Sequence, residues 1–255
     1  QIAEQQQSQL FNEMSTKSVG ALPSTRYQGS KYKILKWIDY HTRELNFKSV
    51  LDAFGGTGCV GYMYKKNGKQ VFYNDSLKFN QYVGLTLIEN KNTTLNDNDL
   101  DLILRKNPKI KYPSFIYDTF HDIYFTDEEN RWLDVVVTNI RNIKDKYKEA
   151  LAYYDLFQSC IIKRPYNLFH RKNLYIRMAE VERSFGNKKT WDTPFEDHFL
   201  KFIKEANNAV FDNNRNNQAS HSDIFDLEIP KIDLTYIDTP YISAKGVGVN
   251  YFDFY

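Results

Sequence analysis

Apolar and polar positions along this chain follow two rhythms. Compact apolar runs at residues 48–54, 69–75 and 234–237 predict buried β-strands, bounded by Gly, Asp or Pro. Between them, apolar residues recur every three or four positions and predict helices. Ile34, Leu35, Trp37 and Ile38 make one such face, behind Ser30, a residue suited to cap it. Phe79, Tyr82, Val83 and Leu87 make another. Residues 125–140, 147–162 and 193–211 read as longer helices, the last turning Phe195, Phe199, Phe202 and Ile203 inward. Residues 90–99 and 213–217 read as polar loops, and the Gln-rich residues 1–19 as a lead of little weight. Strand and helix alternate to about residue 99, lapse from 100 to 218, and resume with Ser220, His221, Ser222, Asp223, Ile224 and Phe225. Such alternation predicts an α/β fold with a parallel sheet.

Composition narrows the partners. The chain has 255 residues, enough to bury a sizeable core. With 34 Lys and Arg against 32 Asp and Glu there is no global field to attract a polyanion, so a nucleic-acid footprint must be local. One candidate is residues 163–189, where Lys163, Arg164, Arg171, Lys172, Arg177, Arg183, Lys188 and Lys189 face only two glutamates. Tyr166, Phe169, Tyr175 and Phe185 are interleaved, with the amides Asn167, Asn173 and Asn187. Cations mixed with aromatics and amides suit phosphates and base edges, although an ordinary basic surface has the same composition. The two cysteines, Cys59 and Cys160, are far apart and outside any paired spacing, so neither a disulfide framework nor a metal site is expected and a reducing cytoplasm fits. No apolar run reaches the length of a membrane span.

Three stretches carry candidate chemistry. Asp52, Ala53 and Phe54 end the first predicted strand, and Gly55, Gly56, Thr57, Gly58, Cys59, Val60 and Gly61 open the next helix. Gly56, Gly58 and Gly61 have the spacing of a dinucleotide-type turn, which also fits a tight turn serving only helix packing. The second strand ends in Asp75, placed to accept from ribose hydroxyls or to cap the following helix. Leu234 to Ile237 run into Asp238, Thr239, Pro240 and Tyr241. Proline cannot continue a central strand, so the chain turns at the strand's carboxyl end, where open α/β sheets place ligands. A carboxylate beside an aromatic face suits a planar heterocycle bearing an amino group, such as a nucleobase.

Four pieces stand in order: R-Y-Q-G-S-K from Arg26, D-A-F-G-G-T-G from Asp52, S-D-I-F from Ser222, and I-D-T-P-Y from Ile237. Over residues 24–255 this order resembles the alpha-class, Dam-type adenine-specific DNA methyltransferases. The resemblance implies a Rossmann-like S-adenosyl-L-methionine-dependent sheet. Residues 1–23 would then be a lead, 24–99 the cofactor-binding part, 100–218 an inserted, mainly helical target-recognition region, and 219–255 the catalytic part. It further implies that Tyr27 and Lys31 lie against the cofactor, with Asp52, Phe54, Gly56 and Gly58 around its methionine part. Asp75 would hold the ribose, and Asp223 and Ile224 the cofactor's adenine. Asp238, the Thr239 carbonyl, Pro240 and Tyr241 would hold a target adenine flipped from double-stranded DNA, and Asn250 and Tyr251 would meet the base or strand. Membership of a restriction-modification system belongs to the same implication.

Two departures qualify the likeness. Thr239 stands where the family usually has proline, but it offers the same backbone carbonyl. Family members also continue beyond the point where this chain stops, so the carboxyl-terminal part of the sheet is expected to be missing, with a further segment or a second polypeptide completing it. Two other readings stay open on the residues. One is a DNA-binding module that keeps the cofactor fold without catalysis. The other is a methyltransferase acting on RNA or protein amides.

Overall fold

A computed structural model describes residues 20–27, 29–165, 169, 172–180, 188–228 and 231–239. Four parallel strands form its sheet: β1 (Ser49–Asp52), β2 (Gln70–Asp75), β3 (Gln218–His221) and β4 (Leu234–Tyr236). Their order is β3-β2-β1-β4, with Val50 paired to Val71 on one side and to Leu234 on the other. From β1 the chain steps outward to β2 and β3 and then returns to β1's other flank. The order therefore reverses between β1 and β4, and such a reversal opens a crevice at the carboxyl ends of the strands.

After a short 3₁₀ turn at Lys31–Ile34, helix α1 spans Leu35–Thr42. The other helices that position the sheet are α2 (Cys59–Lys66) and α3 (Lys78–Gly84), the latter running on into a π turn at Leu85–Glu89. Further along come α4 (Asp97–Leu104), α5 (Phe115–Phe120), α6 (Asp127–Arg141), α7 (Lys146–Ile162), α8 (Leu174–Met178), α9 (Lys188–Asp192) and α10 (Phe195–Ala209). One face of the sheet, through Val50, Val71 and Tyr73, belongs to a single apolar cluster with Met63, Val83, Leu87, Leu151, Tyr154, Phe199 and Ile203. Helices α7 and α10 thus share the sheet's own core, although they fall within the stretch expected as an insert. On the other face Leu51, Ala53 and Phe72 are covered by Phe54, Ile224, Leu227 and Ile232.

The structure moves several expected boundaries. Residues 90–99 read as a loop, yet α4 begins at Asp97 because Asn96 and Asp99 form a reciprocal capping box. The strand expected as buried at 234–237 is half-exposed: Thr235 faces solvent and Ile237 is 65% exposed. Its cause is position, since β4 ends the order of the described sheet. On α1 only Ile38 is buried, while Ile34 and Trp37 of the expected apolar face are exposed. Among the described residues no helix is long and apolar enough to cross a membrane.

Candidate active site

The glycine turn is built by its neighbours. The Gly55 N–H donates to the Asn74 carbonyl at 2.8 Å, and the Tyr73 hydroxyl donates to the Gly56 carbonyl at 2.7 Å. A Cβ on Gly55 would stand 2.0 Å from the Tyr73 ring, so only glycine permits this approach. Gly56 and Gly58 have φ of 49° and 69°, the left-handed region that glycine enters without strain. Gly58 is also the N-cap of α2, so the turn delivers the first N–H groups of that helix to the crevice.

Asp52, at the end of β1, is 1% exposed and accepts the Gly61 N–H at 3.0 Å. Burial pushes its carboxyl up to about 7, the Asp75 and Asp238 carboxylates adding to the effect and the Gly61 N–H and Lys31 opposing it. Asp75, at the end of β2, is also buried. Its two oxygens accept the Gly56 and Leu77 N–H groups, each at 2.9 Å. Asp75 therefore braces the turn, and each oxygen retains a second lone-pair direction for another donor.

Asp238 lies two residues past β4 and pairs with the ammonium of Lys31. The Lys31 ammonium also donates to the Gly29 carbonyl at 3.2 Å, and the Ser30 hydroxyl lies 3.3 Å from that of Thr57. Tyr27, Gly29, Lys31, Asp52, Phe54, Gly55, Gly56, Thr57, Cys59, Val60, Tyr236 and Asp238 line one cleft at the switch point. Of the expected cofactor residues the structure brings Tyr27, Lys31, Asp52, Phe54 and Gly56 together there, beside Asp238. Gly58, between the lining residues Thr57 and Cys59, is not itself part of the lining. Tyr236 had not been singled out. Its signal was the strand's period of two, which puts it on the face of Asp238.

Asp223 and Ile224 stand just beyond the end of β3 and do not line this cleft. Asp223 is exposed, its carboxylate accepting the Phe225 N–H at 3.0 Å, while Ile224 packs beside Phe54 on the sheet's second face. Thr239 is exposed. Pro240, Tyr241, Arg171, Asn250 and Tyr251 lie outside the described residues.

The basic stretch is corrected by its burial. Lys163 and Arg164 are each 1% exposed, Asn173 4% and Arg177 5%. Lys163 and Arg177 converge on Glu129 of α6, Arg177 in a two-pronged contact at 2.7 and 2.8 Å. Burial raises the Glu129 carboxyl, and the two cations outweigh this and hold it below the usual range. The Arg164 guanidinium lies over the Tyr124 and Phe169 rings, and burial lowers it to about 10. Four residues expected to grip DNA are therefore buried, with Lys163 and Arg177 tying the end of α7 and helix α8 to α6. Lys172, Lys188 and Lys189 remain on the surface.

Carboxylates, left-handed glycines and a helix start, gathered at the reversal of a parallel sheet, mark an open α/β protein with a ligand crevice at the carboxyl ends of its strands. The residues also fit S-adenosylmethionine: acids for its cationic end, a glycine cradle, and the Tyr27 ring beside the cleft. Residues 27–255 match the family model of the D12 class N6 adenine-specific DNA methyltransferases. The chain is 34% identical over 239 residues to the type II methyltransferase M2.HphI of Haemophilus parahaemolyticus, covering 91% of this chain and 69% of that protein. It is 29% identical over 147 residues to the type II methyltransferase M.NlaIII of Neisseria lactamica, covering 53% of this chain and 43% of that one. With the modification methylase StsI of Streptococcus sanguinis it shares 26% over 244 residues, 86% of this chain and 34% of that protein. No solved structure matches the chain. The chain belongs to the D12 class of N6 adenine-specific DNA methyltransferases.

Proposed function

We propose that this protein transfers a methyl group from S-adenosylmethionine to the exocyclic amine of an adenine in a specific duplex DNA sequence, as the modification partner in a restriction-modification system. The observation that carries the reading is the position of Asp238, at the carboxyl end of β4 and lining one cleft with the glycine turn and Asp52. The finer likeness to the Dam type, with residues 100–218 supplying target recognition, is part of the proposal. So is a cytoplasmic location.

The adenine amine is a weak nucleophile because its lone pair is delocalised into the ring. Asp238 and the Thr239 carbonyl would accept its two N–H groups and localise that pair toward the incoming methyl. The cofactor supplies the methyl group on a sulfonium, already a good leaving group, so this chain contributes position and electrostatics. Tyr27, Asp52, Gly56 and Gly58 would seat it. Inside a duplex the amine is out of reach, and the base must be flipped out at a cost of a few kcal/mol. Tyr241 is proposed as the stacking face.

Strand contact is proposed for the exposed Lys172, Lys188 and Lys189, with Arg171, Asn250 and Tyr251 as further candidates. Helix α7 begins at Lys146, which pairs with Glu89, and Glu89 also accepts the Ala219 N–H near the start of β3. The helix's Phe157 ring lies 6.0 Å from that of Phe79, which follows β2, and its last turn leads into Lys163. The test is mass spectrometry of duplex DNA, RNA and protein after incubation with the enzyme and labelled cofactor. N6-methyladenine confined to DNA supports the reading. Label in RNA or protein, or in none of the three, contradicts it.

A further inference from the structure

We propose that Lys31 is a positioning residue for the methyl-transfer reaction. It acts through Asp238, holding that carboxylate at the angle from which it meets the adenine amine. The inference rests on the function proposed above and deepens the account of the same site. Asp238 sits on the half-exposed edge of the described sheet. It follows a strand of only three residues, and exposed Ile237 and Thr239 flank it.

Lys31 reaches it from the other end of the described chain. The 3₁₀ turn that carries Lys31 is anchored on the glycine turn by Ser30, whose hydroxyl meets the Thr57 hydroxyl at 3.3 Å and the Cys59 sulfur at 3.8 Å. Ser30 also caps the turn by accepting the Tyr32 N–H at 3.4 Å. The lysine's ammonium spans the Gly29 carbonyl and the Asp238 carboxylate. Both side chains are withdrawn from solvent, at 17% and 20% exposure, so water screens the pair less than a surface pair. An ammonium has three donors and a carboxylate about four acceptor directions. Lys31 can therefore keep one oxygen of Asp238 while the other accepts an adenine N–H.

Charge around the cleft points the same way. Asp52 and Asp238 both line it with Asp75 close behind, and Lys31 is the basic residue among the described lining side chains. Its ammonium offsets the repulsion among these carboxylates. Lys31 moves no proton in this step. The proton released by the methylated amine leaves past Asp238 to solvent.

The test compares the parent enzyme with Lys31→Met, Lys31→Arg, Asp238→Asn and the Lys31→Met/Asp238→Asn double variant, each verified as folded by its thermal melt. Single-turnover methyl transfer gives the rate, and calorimetry with S-adenosylhomocysteine gives cofactor-site affinity independently of activity. Lys31→Met should slow transfer by about tenfold to hundredfold, the scale for a displaced reacting group. Its affinity for S-adenosylhomocysteine should stay within about threefold of the parent's. Lys31→Arg should recover most of the rate, and in the Asp238→Asn background Lys31→Met should cost little more, because coupled residues are not additive. A full additive loss in the double variant, or a loss confined to cofactor affinity, overturns the proposal. A parent enzyme that binds cofactor yet methylates no adenine would instead overturn the function on which it rests.

Discussion

Asp75 and Gly56 are joined by a 2.9 Å hydrogen bond from the glycine N–H to the buried carboxylate, which ties the end of β2 to the turn after β1. The same carboxylate accepts the Leu77 N–H, so one side chain fixes both the glycine turn and the entry to α3. Asp75→Ala should leave two donors unpaired and destabilise the fold by about 1–3 kcal/mol. Cofactor affinity should fall with it. Thermal melts with and without S-adenosylmethionine separate the two effects. Unchanged stability would remove the bracing role.

Glu129 is the shared partner of two buried cations, Lys163 and Arg177. Glu129→Ala should cost about 3–5 kcal/mol, since it strands uncompensated charge rather than merely losing a surface pair. Neutralising Lys188 and Lys189 should leave the melt almost unchanged and flatten the salt dependence of DNA binding by up to about two phosphate contacts. Denaturant titration and binding at several salt concentrations check the pair of expectations. A stable Glu129→Ala protein would contradict the buried network.

Ionisation of Asp52 gives a pH signature. Unfolded, the side chain ionises near 3.8, whereas burial holds the folded one up to about 7. Between these values the folded state keeps a proton that the unfolded state has lost, so raising pH favours unfolding. The cofactor-free protein should therefore lose stability from Asp52 as pH climbs from about 4 to about 7. Asp52→Asn, which can still accept the Gly61 N–H, should remove that loss. It should melt above the parent at pH 8 and close to it at pH 4. Lys65 is also displaced, lowered to about 7 by burial, but its effect falls above that value and is common to both proteins. A gap between variant and parent that does not change with pH would assign the trend to another group.

How far the sequence could be read depended on whether a feature was local. The glycine turn, Asp52 and Asp75 were legible because a left-handed turn between a strand and a helix demands particular residues at particular spacings. Helix α7 was legible from its period almost to the residue. The roles of Lys163 and Arg177 were not, because composition cannot distinguish a solvated cation from one facing an acid in a separate helix. Nor could periodicity reveal that β4 lies at an edge of the described sheet, which depends on what pairs with it. The Lys31–Asp238 pair joins segments from opposite ends of the described chain, and only the folded sheet brings them together. Asn96 was misread for a simpler reason: Asn and Asp favour both loops and helix starts, and the capping box decides between them.

Asp238 is the residue on which the account turns, and single-turnover methylation of adenine-containing duplexes tests it most directly. Asp238→Ala, at a strand end outside the apolar core, should fold and bind cofactor like the parent while methyl transfer falls below about one hundredth of the parent rate, the scale for losing a transition-state hydrogen-bond partner. Transfer by Asp238→Ala at the parent rate would contradict the catalytic assignment and the adenine mechanism built on it.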